Sequence, residues 1–280
     1  MQKKVAVLSD VHGDVTALKA VIADSIKQGT DEYWFLGDLI LPGPGSADLF
    51  DLITGLQPTV WLRGNWEDSY LQYLSGDVNL TDPGDVHFAR IAQRLDRQLR
   101  QSDVDKMAQL PISQTLESNG LRFGLSHNLP NKNNGRELFP TNGQQNFDQL
   151  FEFDSDLDVA VYGHIHQPLM TYSTKGQLII NPGSIGQPFD FWPKLWADLR
   201  AQYVMLTLGD GTIEVEFRKV AYDVETELNL AKTVHLPYFE LYKELRETGR
   251  THTHDVPLLA ELNEKYGYVD EVRDYLKKQG

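Results

Sequence analysis

Five short apolar runs in this chain each stop on side chains that can hydrogen-bond or bind metals, and this pattern restricts the fold more than any other feature. Residues 5–8 pass through Ser9 into Asp10-Val11-His12-Gly13-Asp14. Residues 33–36 run into Gly37-Asp38, and residues 59–62 into Arg63-Gly64-Asn65-Trp66-Glu67. Residues 121–125 lead to Ser126-His127-Asn128, and residues 159–162 to Gly163-His164-Ile165-His166. Apolar runs of this length between polar or turn residues read as buried strands. In open α/β sheets, binding groups gather beyond the carboxyl ends of the strands, so one fold can bring all five ends together. His164 and His166 are two apart, which in a rigid extended segment puts both imidazoles on one side.

The donors gathered in this way are Asp10, His12, Asp38, Asn65, His127, His164 and His166. The chain has no cysteine, which excludes disulfides, thiolate zinc sites and a cysteine nucleophile. Mixed nitrogen and oxygen ligation without thiolate suits Mn²⁺, Fe, Zn²⁺ or Ni²⁺ better than Ca²⁺ or Mg²⁺. Seven donors exceed what one tetrahedral zinc needs. They fit two divalent ions if a carboxylate bridges, and Asp38 is the natural bridge.

Between these runs the periodicity predicts a helix over 14–28 ended by Gly29, a Pro/Gly-rich loop over 41–45, and a helix over 47–55 capped by Ser46. Helical patterns follow at 68–74, 86–100 and 103–109. Segments 112–117 and 121–125 form a predicted hairpin about Ser118-Asn119-Gly120, and 169–174 pairs with 177–180. Segments 203–208 and 212–220 pair about Gly209-Asp210-Gly211. Residues 129–143, rich in Asn, Gly and Pro, read either as a mobile loop over the site or as a plain surface loop. With βα units first and antiparallel strands later, the economical architecture is α/β, a four-layer α/β/β/α sandwich. Past Tyr222 the predicted elements are helices over 224–233, 237–248, 257–266 and 269–278, with Pro237 and Pro257 at first turns. This gives a catalytic domain over 1–221 and a helical extension over 222–280 packed on it as a cap. His252-x-His254-Asp255 looks like a ligand cluster, but reads better as an exposed loop between helices.

The chain carries 40 acidic against 26 basic residues, a net charge of −14. That argues against a nucleic-acid partner, since Lys and Arg supply most nonspecific affinity for the phosphate backbone. No run approaches a membrane span, and the N-terminus lacks the longer apolar core of a signal peptide, so a cytoplasmic protein is expected. A homo-oligomer is left open.

Asp10-x-His12, Gly37-Asp38, Gly64-Asn65, His127 and Gly163-His164-x-His166, taken in this order, resemble the calcineurin-like metallophosphoesterases. Asn181-Pro182-Gly183-Ser184-Ile185-Gly186-Gln187-Pro188 is similar to the bacterial branch that holds small phosphodiesterases and diadenosine polyphosphate hydrolases. The resemblance covers residues 4–220. It implies the metallophosphoesterase sandwich, with one ion on Asp10, His12 and His166 and a second on Asn65, His127 and His164. Asp38 would bridge the two. Such a pair forms a clamp for in-line displacement at phosphorus. The implied activity is hydrolysis of phosphodiester or phosphoanhydride bonds in small nucleotides, diadenosine tetraphosphate included, with Asp38, Asn65, Arg63 and His12 as the catalytic set. Protein phosphatase, nuclease and metal-binding pseudoenzyme scaffold are the alternatives. The first lacks an arginine after Gly37-Asp38, the second fits poorly with the acidity, and the third would be expected to lose ligands.

The chain departs from the family pattern at two positions. Leu41 stands where many members have a second aspartate, and Trp66 where many have a histidine that assists the leaving group. Arg63 matches the phosphate-holding arginine of the protein phosphatase branch, or forms a structural salt bridge. The 181–186 stretch, Ser184 included, cradles an anion or forms a tight turn. Phe189, Phe191, Trp192 and Trp196 stack a nucleobase or serve as core contacts. Expected substrate contacts are thus Arg63, Trp66, Ser184 and Trp192.

Overall fold

Strand β1 (Lys3–Leu8) shows in four residues how the layers are built. Val5 and Val7 face one core, Ala6 and Leu8 another, and all four are fully buried. A strand buried on both faces needs a cover on each side. The computed structural model describes residues 2–279 and supplies both covers. Along the first half, β1 is followed by α1 (Val15–Lys27), β2 (Glu32–Phe35), α2 (Ala47–Gly55) and β3 (Val60–Trp61). Three helices come next, α3 (Asn65–Leu74), α4 (Pro83–Asp96) and α5 (Gln101–Gln109). Then come β4 (Ser113–Ser118), β5 (Leu121–Ser126), β6 (Val159–Tyr162), β7 (Leu169–Tyr172), β8 (Leu178–Asn181), β9 (Ala201–Leu208) and β10 (Ile213–Val220). The chain closes with α6 (Val224–Thr233), α7 (Phe239–Thr248), α8 (Val256–Tyr266) and α9 (Tyr268–Gln279).

Two mixed five-stranded sheets result, ordered β10-β9-β1-β2-β3 and β4-β5-β6-β8-β7. Strands β1, β2 and β3 are parallel, as are β5, β6 and β8, while β9, β4 and β7 join them antiparallel. The sheets meet over Val5, Val7, Trp34 and Leu36 on one side and Phe123, Leu125, Val159 and Val161 on the other. Helix α1 starts on Asp14, whose side chain accepts from the Ala17 amide at 2.8 Å, and packs Val15, Leu18 and Val21 into the outer core of the first sheet. The expected sandwich is therefore present. Among the described residues, no helix is long and apolar enough to cross a membrane.

Local expectations needed correction in three places, and one further segment carried no expectation. Ser46 makes no side-chain cap, and instead its amide donates to Asp48 at 2.8 Å. Pro237 precedes α7 rather than opening it, because Tyr238 takes a left-handed conformation there. The outer face of the second sheet is covered by a 3-10 segment, Gln144–Phe151, which places Phe147, Leu150 and Phe151 against Ala160 and Tyr162. His252 is buried and bonded to Glu244 at 3.0 Å while His254 is exposed, so the interhelix loop is solvated only in part.

The C-terminal helices share the core of the first sheet through Tyr238 and Val272. Polar contacts tie them to the start of α1. The Arg246 guanidinium donates to Asp14 at 2.6 Å with both side chains buried, and Glu227 accepts from the Thr16 amide at 3.0 Å. Removing one member of a buried pair strands the other charge, typically at a cost of about 3–5 kcal/mol. Arg246→Ala should therefore lower the unfolding free energy in urea by about that amount. An unchanged denaturation midpoint would show that apolar contacts alone hold these helices.

Candidate metal centre

Each donor sits one to four residues past the carboxyl end of a strand. Asp10 and His12 follow β1, Asp38 follows β2, Asn65 follows β3, His127 follows β5, and His164 and His166 follow β6. All seven are brought to one place, in two groups. Asp10, His12, Asp38 and His166 form one cluster, and Asp38, His127 and His164 the other. Asn65 joins the second, its Oδ1 lying 2.8 Å from His164 Nδ1 and 3.1 Å from His127 Nε2. Asp38 belongs to both. His164 and His166 do not share an extended segment, as the two-residue spacing suggested. Both are left-handed, with φ of 64° and 62°, and the turn sends them to different clusters.

Each carboxylate commits one oxygen to the backbone and leaves the other bare. Asp10 Oδ2 accepts from the His164 amide at 3.1 Å, and Asp38 Oδ1 from the Trp66 amide at 2.8 Å. Asp10 Oδ1 and Asp38 Oδ2 are buried without a hydrogen bond. Around them stand His166 Nε2, 3.2 Å from Asp10 Oδ1, and His127 Nε2, 3.3 Å from Asp38 Oδ2.

The outer nitrogens set the tautomers. His12 Nδ1 donates to the Leu41 carbonyl at 2.9 Å, His127 Nδ1 to Leu36 at 2.8 Å, and His166 Nδ1 to Gln187 at 2.9 Å. A histidine that donates from Nδ1 turns a bare Nε2 lone pair inward, the usual arrangement around a metal. His12 Nε2 and His166 Nε2 face each other at 3.0 Å. Two lone pairs at that distance repel, and a cation between or beside them removes the conflict. The residues therefore fit divalent metal ions. Leu41 adds nothing through its side chain, but its carbonyl serves as the outer acceptor for His12.

The charge state agrees with this arrangement. Burial pushes His12 and His164 down to about 4, leaving them neutral ligands at pH 7. Burial opposes ionisation of Asp10 and Asp38, yet His166 beside the first and His127 beside the second hold both below the usual carboxylate range. Burial would depress His127 too, but the Asp38 and Asp10 carboxylates drive it up to about 10, so without a cation its Nε2 carries a proton that a bound metal would displace. That concentrated negative field suits a cation.

Sequence reasoning missed Glu67. Its buried carboxylate accepts from four backbone amides: Asp38 at 2.9 Å, Leu39 at 2.8 Å, Ile40 at 3.2 Å and Gly64 at 2.8 Å. It thereby clamps the loops that present Asp38 and Asn65. A Cβ at Gly64 would overlap the Asp38 carboxylate, so only glycine allows this approach. The sequence does hold a signal, an acid three residues after Gly64 in the capping-box position.

Of the expected substrate contacts, Trp66 stays at the site, its ring edge-on to His12 at 5.4 Å. Arg63 and Ser184 are corrected. The Arg63 guanidinium pairs with Asp68 at 2.5 Å and donates to the Ala108 carbonyl at 3.0 Å, so it is built into the structure rather than held free for phosphate. Ser184 is fully buried, and its hydroxyl donates to the Asp10 carbonyl at 2.7 Å. Neighbouring amides are consumed as well, Ile185 by Ser9 at 3.1 Å and Gly186 by Asp10 at 2.9 Å, so the stretch is a tight turn and not an anion cradle. Trp192 is 59% exposed, so it is not a core contact. The 129–143 loop reaches the site, where the Gly135 carbonyl accepts from His164 Nε2 at 3.0 Å.

Comparison with known proteins gives a consistent result. Residues 4–210 match the calcineurin-like phosphoesterase superfamily domain. An uncharacterized protein of Methanocaldococcus jannaschii is 26% identical over 241 residues, covering 80% of this chain and 90% of its own. The symmetrical bis(5'-nucleosyl)-tetraphosphatase of Serratia proteamaculans is 30% identical over 79 residues, 28% of each chain. A metallophosphoesterase from Sphaerobacter thermophilus superposes with a TM-score of 0.68 at 23% identity, over 88% of this chain and 100% of that one. A hypothetical protein from Pyrococcus horikoshii gives 0.69 at 19% identity, over 89% and 99%.

The Glu67 clamp can be tested without metal. Glu67→Gln places an N–H donor where only acceptors fit, and a buried unsatisfied group costs about 1–3 kcal/mol. Chemical denaturation in chelator should show a loss of that size. Wild-type stability in the variant would mean that the loops hold themselves.

Proposed function

The chain belongs to the calcineurin-like phosphoesterase superfamily, and from that premise we propose that it is a metal-dependent hydrolase of phosphodiester or phosphoanhydride bonds in small nucleotides. Dinucleoside polyphosphates are included. The observation that carries this reading is the pair of donor clusters sharing Asp38. The short stretch of similarity to a nucleosyl-tetraphosphatase supports the nucleotide part. The donor set favours Mn²⁺ or Fe, and Zn²⁺ or Ni²⁺ could take the same places.

Two such ions, when bound, supply Lewis-acid charge to the phosphoryl oxygens and lower the pKa of an attacking water. The protein's own part is to fix the geometry. Backbone carbonyls hold His12, His127 and His166 with Nε2 inward, and the Trp66 amide keeps Asp38 turned between the clusters. Asn65 Oδ1 sits between His127 and His164, ready to serve as an oxygen ligand. A chain of net charge −14 would repel a phosphate, so substrate affinity should depend on the metals.

Asp38→Ala removes the donor common to both clusters. It should abolish turnover and reduce bound metal, read by elemental analysis of purified protein beside a screen of phosphomonoesters, diesters and dinucleoside polyphosphates. Full activity with normal metal content would take Asp38 out of the site.

Trp66 gives a kinetic prediction. The indole beside His12 cannot provide the acid that would protonate a leaving oxygen, a contribution typically of about 10²–10⁴-fold. Phosphoanhydrides and nitrophenyl esters should then be good substrates and alkyl monoesters poor ones. Across a series of aryl phosphodiesters, log kcat/KM should fall steeply with leaving-group pKa, and Trp66→His should flatten the slope. A shallow slope in wild type would show that another group delivers the proton.

A further inference from the structure

We propose that the cleft directly beside His166 is a nucleobase subsite, walled by Phe189 and Trp196 and read by Gln167 and Gln202, which takes adenine. The proposal rests on the nucleotide-hydrolase reading and names where the base of that substrate goes. The cleft has a volume of about 260 Å³, and apolar contacts come from Pro168, Pro188 and Leu199. That is just below the roughly 300–1,000 Å³ of sites for whole drug-sized ligands, and suits a single base.

Its position follows from the chain. Gln167 is the next residue after His166 and lines the cleft. The Phe189 amide donates to the His166 carbonyl at 3.2 Å, so one aromatic wall is fixed to a candidate ligand residue. The other wall is fixed as well, since Trp196 Nε1 donates to the Asp190 carbonyl at 2.7 Å. An indole already held in place loses little entropy when a ring stacks on it.

The polar groups favour a neutral ring with both donor and acceptor edges. Gln167 Oε1 is buried without a hydrogen bond. Gln202 is 4% exposed, and its Oε1 accepts weakly from the Ser184 amide at 3.5 Å. Its Nε2 has no partner among the described residues. One acceptor and one donor match the exocyclic amine and a ring nitrogen of adenine. Phosphate is disfavoured here. Two carboxylates, Asp190 and Asp198, stand against Lys219, which is already bound to Asp198 at 2.8 Å. The phosphates would lie at the metal centre and the base in the cleft. Trp192 does not line the cleft.

The test is calorimetric titration of the metal-free full-length protein with adenosine, which carries no phosphate. Saturable binding is expected, without competition from inorganic phosphate. Loss of one stacking wall, in Trp196→Leu or in Phe189→Leu, should weaken it about ten-fold. Trp192→Ala should bind as wild type does. No saturation in wild type, or wild-type affinity in both wall variants, would overturn the subsite. Hydrolysis of bis(p-nitrophenyl) phosphate by the Mn²⁺-loaded wild type is measured in parallel. Turnover without adenosine binding sinks the subsite and leaves the hydrolase reading standing. Adenosine binding without turnover does the reverse.

Discussion

The site depends on a backbone constraint. Five of the seven donors, Asp10, His12, Asp38, His164 and His166, sit at φ between 51° and 64°. A strand points its side chains perpendicular to its own axis, so it cannot by itself aim donors at a point beyond its end. A left-handed residue two to four positions past the strand can. Such conformations cost non-glycine residues about 1–3 kcal/mol each and persist only where the surroundings over-determine them. Here the loops bond to one another. The Asp10 amide donates to Gly37, His12 to Asp38 and Gly13 to Leu39, each at 3.0 Å. Glu67 then gathers the amides of the Asp38 loop, and the buried turn at 183–186 fixes the carbonyls of Ser9 and Asp10.

The second consequence is electrostatic. A loop network this tight leaves two bare, buried carboxylate oxygens and a pair of imidazole nitrogens opposed at 3.0 Å. Elsewhere in the molecule, polar groups as deeply buried are mostly paired, as Arg246 is with Asp14. The same buried pair ties the C-terminal helices to a residue two positions past His12, so those helices and the site share one support. The overall acidity, which would count against binding an anion, is consistent with a centre whose charge is reversed by cations.

Much of this was legible in the chain. Apolar runs ending in donors located β1, β2, β3, β5 and β6, because a doubly buried strand must be apolar throughout and a functional strand end must not be. The periodicity of 224–233 gave α6 with its observed limits. The 3-10 segment Gln144–Phe151 was not foreseen, though Phe147, Leu150 and Phe151 carry a helical spacing; so few apolar residues in a polar stretch do not stand out.

The sequence by itself determined which side chains could ligate a metal and that they lie at strand ends, since residue type and apolar patterning are local properties. It could not decide which donors share a cluster. His164 and His166 are neighbours in the chain, yet a left-handed turn at each sends one toward Asn65 and the other toward Asp10. Nor could it decide whether a polar residue would be free or consumed. Arg63 and Ser184 have the chemistry of phosphate contacts, but Asp68 and the Asp10 carbonyl occupy them. Only the tertiary structure settles such points, because a hydrogen-bonding group is claimed by whatever partner the fold brings within about 3 Å, wherever that partner lies in the chain.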